Sequence, residues 1–468
     1  MKITFFGAAR NVTGSKHLIE TNGYKLLLDC GLYQGKRQLA NTLNKELPFT
    51  AHEIDAVILS HAHLDHCGTL PILVREGFAG KIYATPPTCE IAQYIMADSA
   101  FIQEHDAEYF NRHAQRKEDE IEPIYTVEDA KKVAAHFEPV PYFRESGVWT
   151  ELSENIRFKF YDAGHILGSS IIVVEIKEEG TVKTIAFTGD LGRNNPPILR
   201  QHEQIAENTD ILLSECTYGD RLHRPLGNVL DDLQRIILSA VKNKSKIIVP
   251  AFALGRVQEL IYFLHELVDR NLVPLIPIYL DTPLGENITS VFSKYTRYFN
   301  QQFFQDFGNK EDTPFLFTNL VYVNSVEESK VINDKKGPLM IIASSGMVEG
   351  GRILHHLKNN IEDSNTIVLI TGYQAQNTLG RRLQEGVSPV KIFGKEYAVR
   401  AKILTLSELS AHADQNDLLS YIGQVPGLQH LFLVHTEPQS AEAFEALAKK
   451  SYPELKITIP DMGQAFEL

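Results

Sequence analysis

Short runs of hydrophobic residues, each followed by a polar group, recur along the chain. The runs are rich in Val, Ile, Leu and Phe and have the length of β-strands. The side chains that follow them are Asp29, His61, His165, Asp190, Glu215, His412 and His435. Strand ends meet at one edge of a sheet, so residues distant in sequence are expected to lie together there. A polar residue after one strand is often only a loop residue, but this repetition favours a site.

Helical patterns and a second run of strands fill the rest of the chain. Helices are predicted from about Met96 to Lys117 and from Asn228 to Val241. Between Ser245 and about Phe393, four apolar runs, IIVP, IPIYLD, PLMIIAS and TIVLITG, predict buried parallel strands. Strands that carry polar groups lie on both sides of this block. The sequence therefore predicts an α/β domain at 209–398 inserted into a first domain formed by 1–208 and 399–468.

Composition is that of a soluble globular protein, with 43% hydrophobic and 22% charged residues among 468. The four cysteines form no C-x-x-C pair and no signal-peptide pattern is present, which indicates a cytoplasmic protein. Apolar runs are far shorter than the roughly 18 residues of a membrane span, so no membrane partner is expected. A net charge of −13 alone disfavours nucleic acid as a partner. However, net charge does not report the local electrostatic field in a cleft.

The densest polar motif is His-Ala-His-Leu-Asp-His at residues 61–66. Zinc prefers imidazole and carboxylate ligands, and four such groups on six residues are a specific signal. On a tight loop, His61 and His63 would face one ion, while Asp65 and His66 would face a second. Further ligands suit the pattern: a bridging carboxylate from Asp190 and imidazoles from His165 and His435. Each of these last three fits equally well as a hydrogen-bonded polar residue.

These motifs resemble a known family. GAARNVTGS at 7–15, LLLDCG at 26–31, HAHLDH at 61–66, GHILGS at 164–169 and FTGDLG at 187–192 resemble the metallo-β-lactamase superfamily. SECTYGDR at 214–221, PAFALGRVQEL at 250–260, ASSGMVEGGR at 343–352, GYQAQNTLGRRL at 372–383 and SAHAD at 410–414 resemble its β-CASP branch of RNA nucleases. Length and motif order are most similar to the nuclease subunit of the cleavage and polyadenylation machinery. The resemblance implies an α/β fold, an αββα sandwich with an inserted β-CASP domain.

The resemblance also implies roles for individual residues. One zinc ion would be bound by His61, His63 and His165, a second by Asp65, His66 and His435, and Asp190 would bridge them. Asp29 would orient the ligand loop. Glu215 and His412 match a carboxylate and imidazole pair that donates a proton to the leaving oxygen. A hydroxide formed between two zinc ions would attack the phosphate of RNA in a cleft between the domains.

Predicted substrate contacts lie in the insertion. ASSGMVEGGR places small residues after a strand and before a helix, where backbone N–H groups can bind a phosphate. The predicted RNA-binding residues are Arg256, Ser344, Ser345, Gly346, Arg352, Thr378 and Arg381. Arg382 is a further candidate, although solvated helix faces explain these arginines equally well. The implied substrate is single-stranded RNA, and the family's members often form homodimers.

Two residues depart from the family pattern, and two other functions stay open. Thr436 follows His435 where many relatives have Gly, and Asn377 stands where Gly is common. Asn tolerates positive φ, so the second change can preserve a turn. A His at position 435 is associated with RNA substrates in the family. The alternatives are a related hydrolase acting on DNA or on small esters or phosphodiesters, and an inactive RNA-binding scaffold. The large insertion disfavours a small-ester hydrolase, and the complete set of ligands disfavours the scaffold.

Overall fold

The computed structural model describes residues 1–35, 37–112, 121–223, 227–307, 315–372, 374–406 and 409–468. Its strands are β1 Lys2–Phe5, β2 His17–Thr21, β3 Tyr24–Leu28, β4 Ala56–Ile58, β5 Lys81–Ala84, β6 Phe137–Pro139, β7 Thr150–Ser153, β8 Ile156–Asp162, β9 Ser170–Glu178, β10 Thr181–Phe187, β11 Ile211–Glu215, β12 Lys246–Pro250, β13 Ile278–Asp281, β14 Leu320–Tyr322, β15 Leu339–Ala343, β16 Thr366–Ile370, β17 Val390–Ile392, β18 Lys395–Tyr397, β19 Lys402–Thr405, β20 His430–Val434, β21 Lys456–Thr458 and β22 Gln464–Glu467.

The α-helices of the described residues are α1 Arg37–Lys45, α2 Leu64–Cys67, α3 Leu70–Arg75, α4 Pro86–Asn111, α5 Val127–Lys132, α6 Phe143–Ser146, α7 Gly227–Asn243, α8 Arg256–Asp269, α9 Pro283–Lys294, α10 Gln301–Phe307, α11 Val326–Asp334, α12 Arg352–Asn360, α13 Leu379–Gln384, α14 Gln415–Gly423 and α15 Pro438–Ser451. Short 3-10 helices lie at Ala51–Glu53, Val133–His136 and Thr296–Tyr298. In that part of the chain, no helix is long and apolar enough to span a bilayer.

The chain forms two compact units, and the second is inserted into the sequence of the first. The first contains Met1–Leu222 and His412–Leu468, and the second contains His223–Ala411. The sequence placed these boundaries near residues 208 and 399. The difference arises from strand pairing: β11 pairs with β10 and β20 of the first unit, whereas β19 pairs with β16 of the second.

The first unit contains two seven-stranded mixed sheets. Their strand orders are β22-β1-β2-β3-β4-β5-β6 and β21-β20-β11-β10-β9-β8-β7. Alternation along β20 shows how the layers form, because successive side chains of a strand point to opposite faces. Phe432 packs on Phe5 of the other sheet, with ring centroids 5.0 Å apart. Its neighbours Leu431 and Leu433 share a core with Phe444 of α15. The sheets therefore pack on each other, with helices covering an outer face.

Both helices predicted from the sequence are present, with different ends. The first is α4, which begins at Pro86 because Thr85 caps it: the Thr85 hydroxyl accepts a hydrogen bond from the Thr88 amide, and two prolines occupy the first turn. The last residues of the predicted helix, 113–117, lie outside the described residues. The second helix is α7, which is slightly longer than the predicted segment.

The second unit is built on a six-stranded sheet with the order β14-β13-β15-β12-β16-β19. All its pairings are parallel, which confirms the four strands predicted from the apolar runs. Separate hydrophobic clusters, one around Ile248 and Leu357 and another around Ile332 and Ile341, are buried against this sheet. Burial on both faces explains why these strands are continuously apolar instead of alternating.

Candidate metal centre

Strand ends in the first unit bring the predicted metal ligands together. β10, β11 and β20 are parallel neighbours, so their carboxyl ends lie at one edge of the sheet. β8 runs in the same direction, because both β8 and β10 are antiparallel to β9. In the other sheet, β3 and β4 are parallel. The polar groups at or just after these ends are Asp29, His61, His165, Asp190, Glu215 and His435.

A first cluster contains His61, His63, His165 and Asp190, whose potential ligand atoms lie within 4.8 Å of one another. His61 Nε2 is 3.0 Å from His63 Nδ1, and His165 Nε2 is 3.3 Å from that same atom. Asp190 Oδ2 lies 3.4 Å from His61 Nε2 and 3.5 Å from His165 Nε2. Four ligands at zinc's usual bond length in a tetrahedral array are about 3.3 Å apart. The spacing therefore fits one zinc-sized ion.

A second cluster contains Asp65, His66 and His435, again with potential ligand atoms within 4.8 Å of one another. His435 Nε2 is 3.4 Å from Asp65 Oδ2. Asp190 Oδ1 lies 3.2 Å from His66 Nε2, while Asp190 Oδ2 belongs to the first cluster. One carboxylate thus presents an oxygen to each cluster, the placement expected of a bridging ligand. The six-residue motif is divided between the clusters as the sequence predicts.

Orphaned polar atoms at this point also fit a cation. Among the described residues, the buried atoms His66 Nε2 and Asp190 Oδ1 have no hydrogen-bond partner, although they face each other. Buried polar atoms are rarely left unpaired, because each carries a desolvation cost of about 1–3 kcal/mol. A metal ion between the two lone pairs would satisfy both. That these residues bind metal remains a prediction, and the arrangement is compatible with it.

The Asp29 carboxylate contacts Ser60, which precedes the six-residue motif, and His66 at the end of the motif. Its carboxylate accepts hydrogen bonds from the Ser60 amide at 2.7 Å, the Ser60 hydroxyl at 2.9 Å and the Ser15 hydroxyl at 3.2 Å. His66 Nδ1 lies 2.7 Å from Asp29 Oδ2, and His61 Nδ1 lies 3.0 Å from Ser60 Oγ. Protons placed on these Nδ1 atoms leave each Nε2 with a lone pair for a metal. Asp29 therefore lies where the predicted orienting role requires it.

Burial sets the charge of the first cluster's imidazoles. It lowers the pKa of His61 to about 4 and that of His63 to about 4. Burial, reinforced by His412, holds the pKa of His165 well below its usual range. These side chains are therefore neutral at physiological pH, and neutral imidazole is the form that binds metal.

Two carboxylates reverse this effect at His66. Burial alone would lower its pKa, but Asp190 and Asp29 raise it well above its usual range. The pKa of Asp190 is held well below its usual range, because the neighbouring His435, His66 and His61 outweigh the opposing effect of burial. The Asp190 carboxylate is therefore negatively charged where the two clusters meet. A bound cation would replace the proton on His66.

Glu215 and His412 form a hydrogen-bonded pair beside these clusters. His412 Nδ1 donates to Glu215 Oε1 at 3.0 Å. Glu215 is fully buried and also accepts from the Leu191 amide at 2.8 Å and the Thr217 amide at 3.1 Å. Burial would lower the pKa of His412, but Glu215 raises it to about 9. The three groups Asp190, Glu215 and His412 also lie within 4.8 Å of one another. His412 is thus placed either to carry a proton or to bind a metal.

The predicted substrate contacts divide into two groups within the second unit. Three lie in or cap the helices α12 and α13: Arg352 Nη1 pairs with the buried Asp281 at 2.5 Å, and Arg381 Nε pairs with Glu385 at 2.6 Å. Thr378 caps α13, because its hydroxyl accepts from the Arg381 amide at 3.2 Å. Each side chain thus has a partner within the second unit, and its contact with a substrate stays a prediction.

The other group follows β12 and β15: Arg256 begins α8, and Ser344, Ser345 and Gly346 lie on the loop after β15. Ser344 Oγ contacts Thr282 Oγ1 at 2.8 Å, and Ser345 Oγ accepts from the Glu349 and Gly350 amides. A Cβ at Gly346 would approach the Phe252 ring to 2.5 Å, so a larger residue there would displace that ring. Arg256 is buried and pairs with Glu259 at 2.5 Å. The loops form one packed edge of the sheet, the usual location of ligand sites in parallel sheets.

Both departures from the family pattern are accommodated. Asn377 has a φ of 69°, the conformation that Asn tolerates, as predicted. In the turn that contains Thr436, the residue with a positive φ is His435, at 49°. The buried Thr436 donates a hydrogen bond to the Cys216 carbonyl at 2.9 Å. Thr436 thus forms a backbone contact that glycine could not form.

Three residues at the site were not singled out from the sequence. Ser60 connects Asp29 to His61, Thr217 contacts His435, and Gly31 packs against the Asp65 carbonyl. Each lies within or beside a motif that was recognised, but nothing in its residue type distinguishes it from an ordinary loop residue.

Three family comparisons cover most of the chain. Residues 18–190 match the metallo-beta-lactamase superfamily domain, and residues 257–383 match the Beta-Casp domain. Residues 396–460 match the Zn-dependent metallo-hydrolase RNA specificity domain.

Similar proteins span nearly the whole chain. Ribonuclease TTHA0252 of Thermus thermophilus is 35% identical over 447 residues, covering 96% of this chain and 96% of that protein. An RNase J-like protein of Methanocaldococcus jannaschii is 32% identical and covers 94% of both chains. A solved structure, of a protein of unknown function from Enterococcus faecalis V583, matches with a TM-score of 0.52 and 14% identity, covering 100% of this chain and 99% of that one. At that identity, the last likeness concerns the fold alone.

Proposed function

This chain belongs to the β-CASP branch of the metallo-β-lactamase superfamily, and on that premise we propose that it is a zinc-dependent ribonuclease. As a member of this family it is a metal-dependent hydrolase. The proposed reaction is hydrolysis of phosphodiester bonds in single-stranded RNA. The names of two similar proteins and the match to an RNA specificity domain support RNA as the substrate.

The observation that carries the proposal is the meeting of two ligand clusters at Asp190. We infer that one zinc ion is bound by the first cluster and a second by the second cluster, with one Asp190 oxygen directed to each. When bound, such a metal pair supplies Lewis acidity toward phosphate oxygens and lowers the pKa of a nearby water. The neutral imidazoles of His61 and His63 are ready for this role, because they need not lose protons first.

The remaining chemistry is assigned to side chains of the chain itself. The leaving oxygen must gain a proton, and His412 is the proposed donor. Glu215 fixes the orientation of that imidazole through Nδ1, so a proton on Nε2 is the one available for transfer. Glu215 is itself held by two backbone amides, which keep its carboxylate in place. Nearby metal charges would lower the pKa of His412 from its raised value toward neutrality, where a proton donor is most effective.

Cleavage of end-labelled RNA tests the proposal. The full chain with zinc should cut single-stranded RNA labelled at either end, and a chelator should stop the reaction. Asp65→Ala and His66→Ala should each abolish cleavage. His136→Ala is a matched control, because the His136 imidazole lies 2.9 Å from the Gly80 carbonyl and is outside both clusters.

Each alternative predicts a different result. Wild-type activity in Asp65→Ala or His66→Ala would eliminate the site. A protein that holds two zinc ions but hydrolyses only a small ester would be another hydrolase of the superfamily. A chain that binds RNA but no zinc, and cleaves nothing, would be a scaffold. If His412→Ala loses zinc, then His412 is a ligand instead of the proton donor.

A further inference from the structure

Thr217 lies between the second cluster and the Glu215–His412 pair. It follows β11 by two residues and is 8% exposed. Its hydroxyl oxygen is 3.0 Å from His435 Nδ1 and 3.2 Å from the His435 carbonyl oxygen. Its amide donates to Glu215 Oε2 at 3.1 Å. One residue thus contacts a proposed metal ligand and the carboxylate that orients the proposed proton donor.

The direction of these hydrogen bonds follows from the chemistry of the groups. A carbonyl oxygen only accepts, so the single Thr217 hydroxyl proton is donated to the His435 carbonyl. The hydroxyl oxygen must then accept at its other contact. His435 Nδ1 is therefore the donor and carries the ring proton. In a neutral imidazole, this leaves Nε2 with a lone pair.

This tautomer matters because both ring nitrogens of His435 lie near a carboxylate. Nε2 is 3.4 Å from Asp65 Oδ2, and Nδ1 is 3.6 Å from Asp190 Oδ1. Without the hydroxyl, a proton on Nε2 could be donated to Asp65, and that nitrogen could no longer bind a metal. The contact with Thr217 therefore favours the tautomer of His435 with its proton on Nδ1 over the tautomer with its proton on Nε2.

We propose that Thr217 is a positioning residue that holds the Nε2 lone pair of His435 available for the metal of the second cluster. The inference rests on the proposed function, in that it assumes a metal at the second cluster. His66 obtains the same help from the carboxylate of Asp29, whereas His435 obtains it from a neutral hydroxyl. The second cluster therefore depends on a contact that one methyl-for-hydroxyl exchange removes.

Zinc titration of matched variants tests this role without relying on activity. Thr217→Val keeps the size of the side chain and removes the hydroxyl, and Thr217→Ser keeps the hydroxyl. Thr436→Val is the control, because it removes a neighbouring buried hydroxyl that donates to the Cys216 and Glu437 carbonyls and belongs to neither cluster. Affinity for each zinc ion is measured by competition with a chromophoric chelator, and the cobalt-loaded proteins provide an absorption spectrum of the ligand geometry.

The expected result is a loss of about 10- to 100-fold in affinity for one of the two zinc ions in Thr217→Val, with a changed cobalt spectrum. Thr217→Ser and Thr436→Val should bind both ions as the wild type does. If Thr217→Val does not fold, Thr217→Ala serves in its place. Wild-type affinity in the folded variant, or an equal loss in Thr436→Val, would overturn the inference. A wild-type chain that takes up no zinc would instead refute the proposed function.

Discussion

Gly31 packs so closely against the ligand loop that a single methyl group should displace it. A Cβ built at Gly31 would lie 1.6 Å from the Asp65 carbonyl oxygen, 2.2 Å from its carbon and 2.8 Å from the His66 amide nitrogen. The φ of Gly31 lies outside the left-handed region, so the effect of Gly31→Ala is steric. Three backbone hydrogen bonds hold the segments together: Ser15 to Asp65 at 2.8 Å, Cys30 to His66 at 2.8 Å and Gly31 to Ser15 at 2.9 Å.

The size of the displacement can be worked out from these distances. Real Cβ contacts are essentially never shorter than 3.0 Å, so the Asp65 carbonyl must move by the difference from 1.6 Å, which is 1.4 Å or more. Overpacking of this kind lowers the free energy of unfolding by about 1–3 kcal/mol. A misplacement of about 1 Å near reacting groups reduces a catalytic rate about 100-fold. Because Asp65 and His66 belong to the second cluster, zinc content should fall from about two ions toward one.

Three measurements on Gly31→Ala check this expectation: urea unfolding of the metal-free protein, zinc content by native mass spectrometry, and the single-turnover rate on RNA. Gly180→Ala is the control, because its turn has a φ of 82° but no atom within 4 Å of the new Cβ. It should lose about 1 kcal/mol of stability from backbone strain and keep both its zinc and its rate. If Gly31→Ala holds two zinc ions and cleaves RNA at the wild-type rate, the close contact does not position the loop.

Three further predictions address the proposed proton donor, a half-buried carboxyl and an arginine of the second unit. His412→Ala should slow cleavage of ordinary RNA about 100- to 10,000-fold and leave zinc binding unchanged. On an RNA with sulfur in place of the leaving oxygen, His412→Ala should have little effect on the cleavage rate, because a thiolate leaves without a proton. Equal losses of rate on both substrates would contradict the role of His412 as proton donor. Burial raises the pKa of Asp98 from 3.8 to about 6, so the native state binds more protons than the unfolded state and stability falls as pH rises between these values. Asp98→Asn should therefore be on the order of 2 kcal/mol more stable than wild type at pH 7.5 but not at pH 3.5, measured by thermal unfolding; an equal gain at both would refute the pKa shift. Arg352→Met should lower the free energy of unfolding by about 3 kcal/mol, because it removes a partner of the fully buried Asp281. A variant of wild-type stability with weakened RNA binding would favour the substrate-contact role.

Local patterns in the sequence were sufficient for the architecture and for the list of candidate ligands. Continuously apolar runs predicted β12, β13, β15 and β16, because strands of a parallel sheet are buried on both faces. The expected division of the six-residue motif follows its local structure, since His61 and His63 precede α2, whereas Asp65 and His66 lie in that helix. Polar groups at strand ends predicted which distant residues meet, since strand ends share an edge.

Other features depend on strand order, which hydrophobic periodicity does not encode. Residues 402–405 have an apolar pattern that suits either unit, and only the pairing of β19 with β16 assigns them to the second. Arg352 is a predicted substrate contact, and its pairing with Asp281, 71 positions away, is visible only in the folded chain.

By itself, the sequence determined the kinds of strand, the chemistry of the candidate metal ligands and their positions at the ends of strands. The tertiary structure decided which atoms orient those ligands. Thr217 reaches His435 across 218 positions because β11 and β20 are neighbours in one sheet. Gly31 meets the Asp65 carbonyl because the loop after β3 passes close to α2. Hydrogen bonds and close contacts act over about 3 Å, so they depend on how the strands are arranged in space and not on residue type alone.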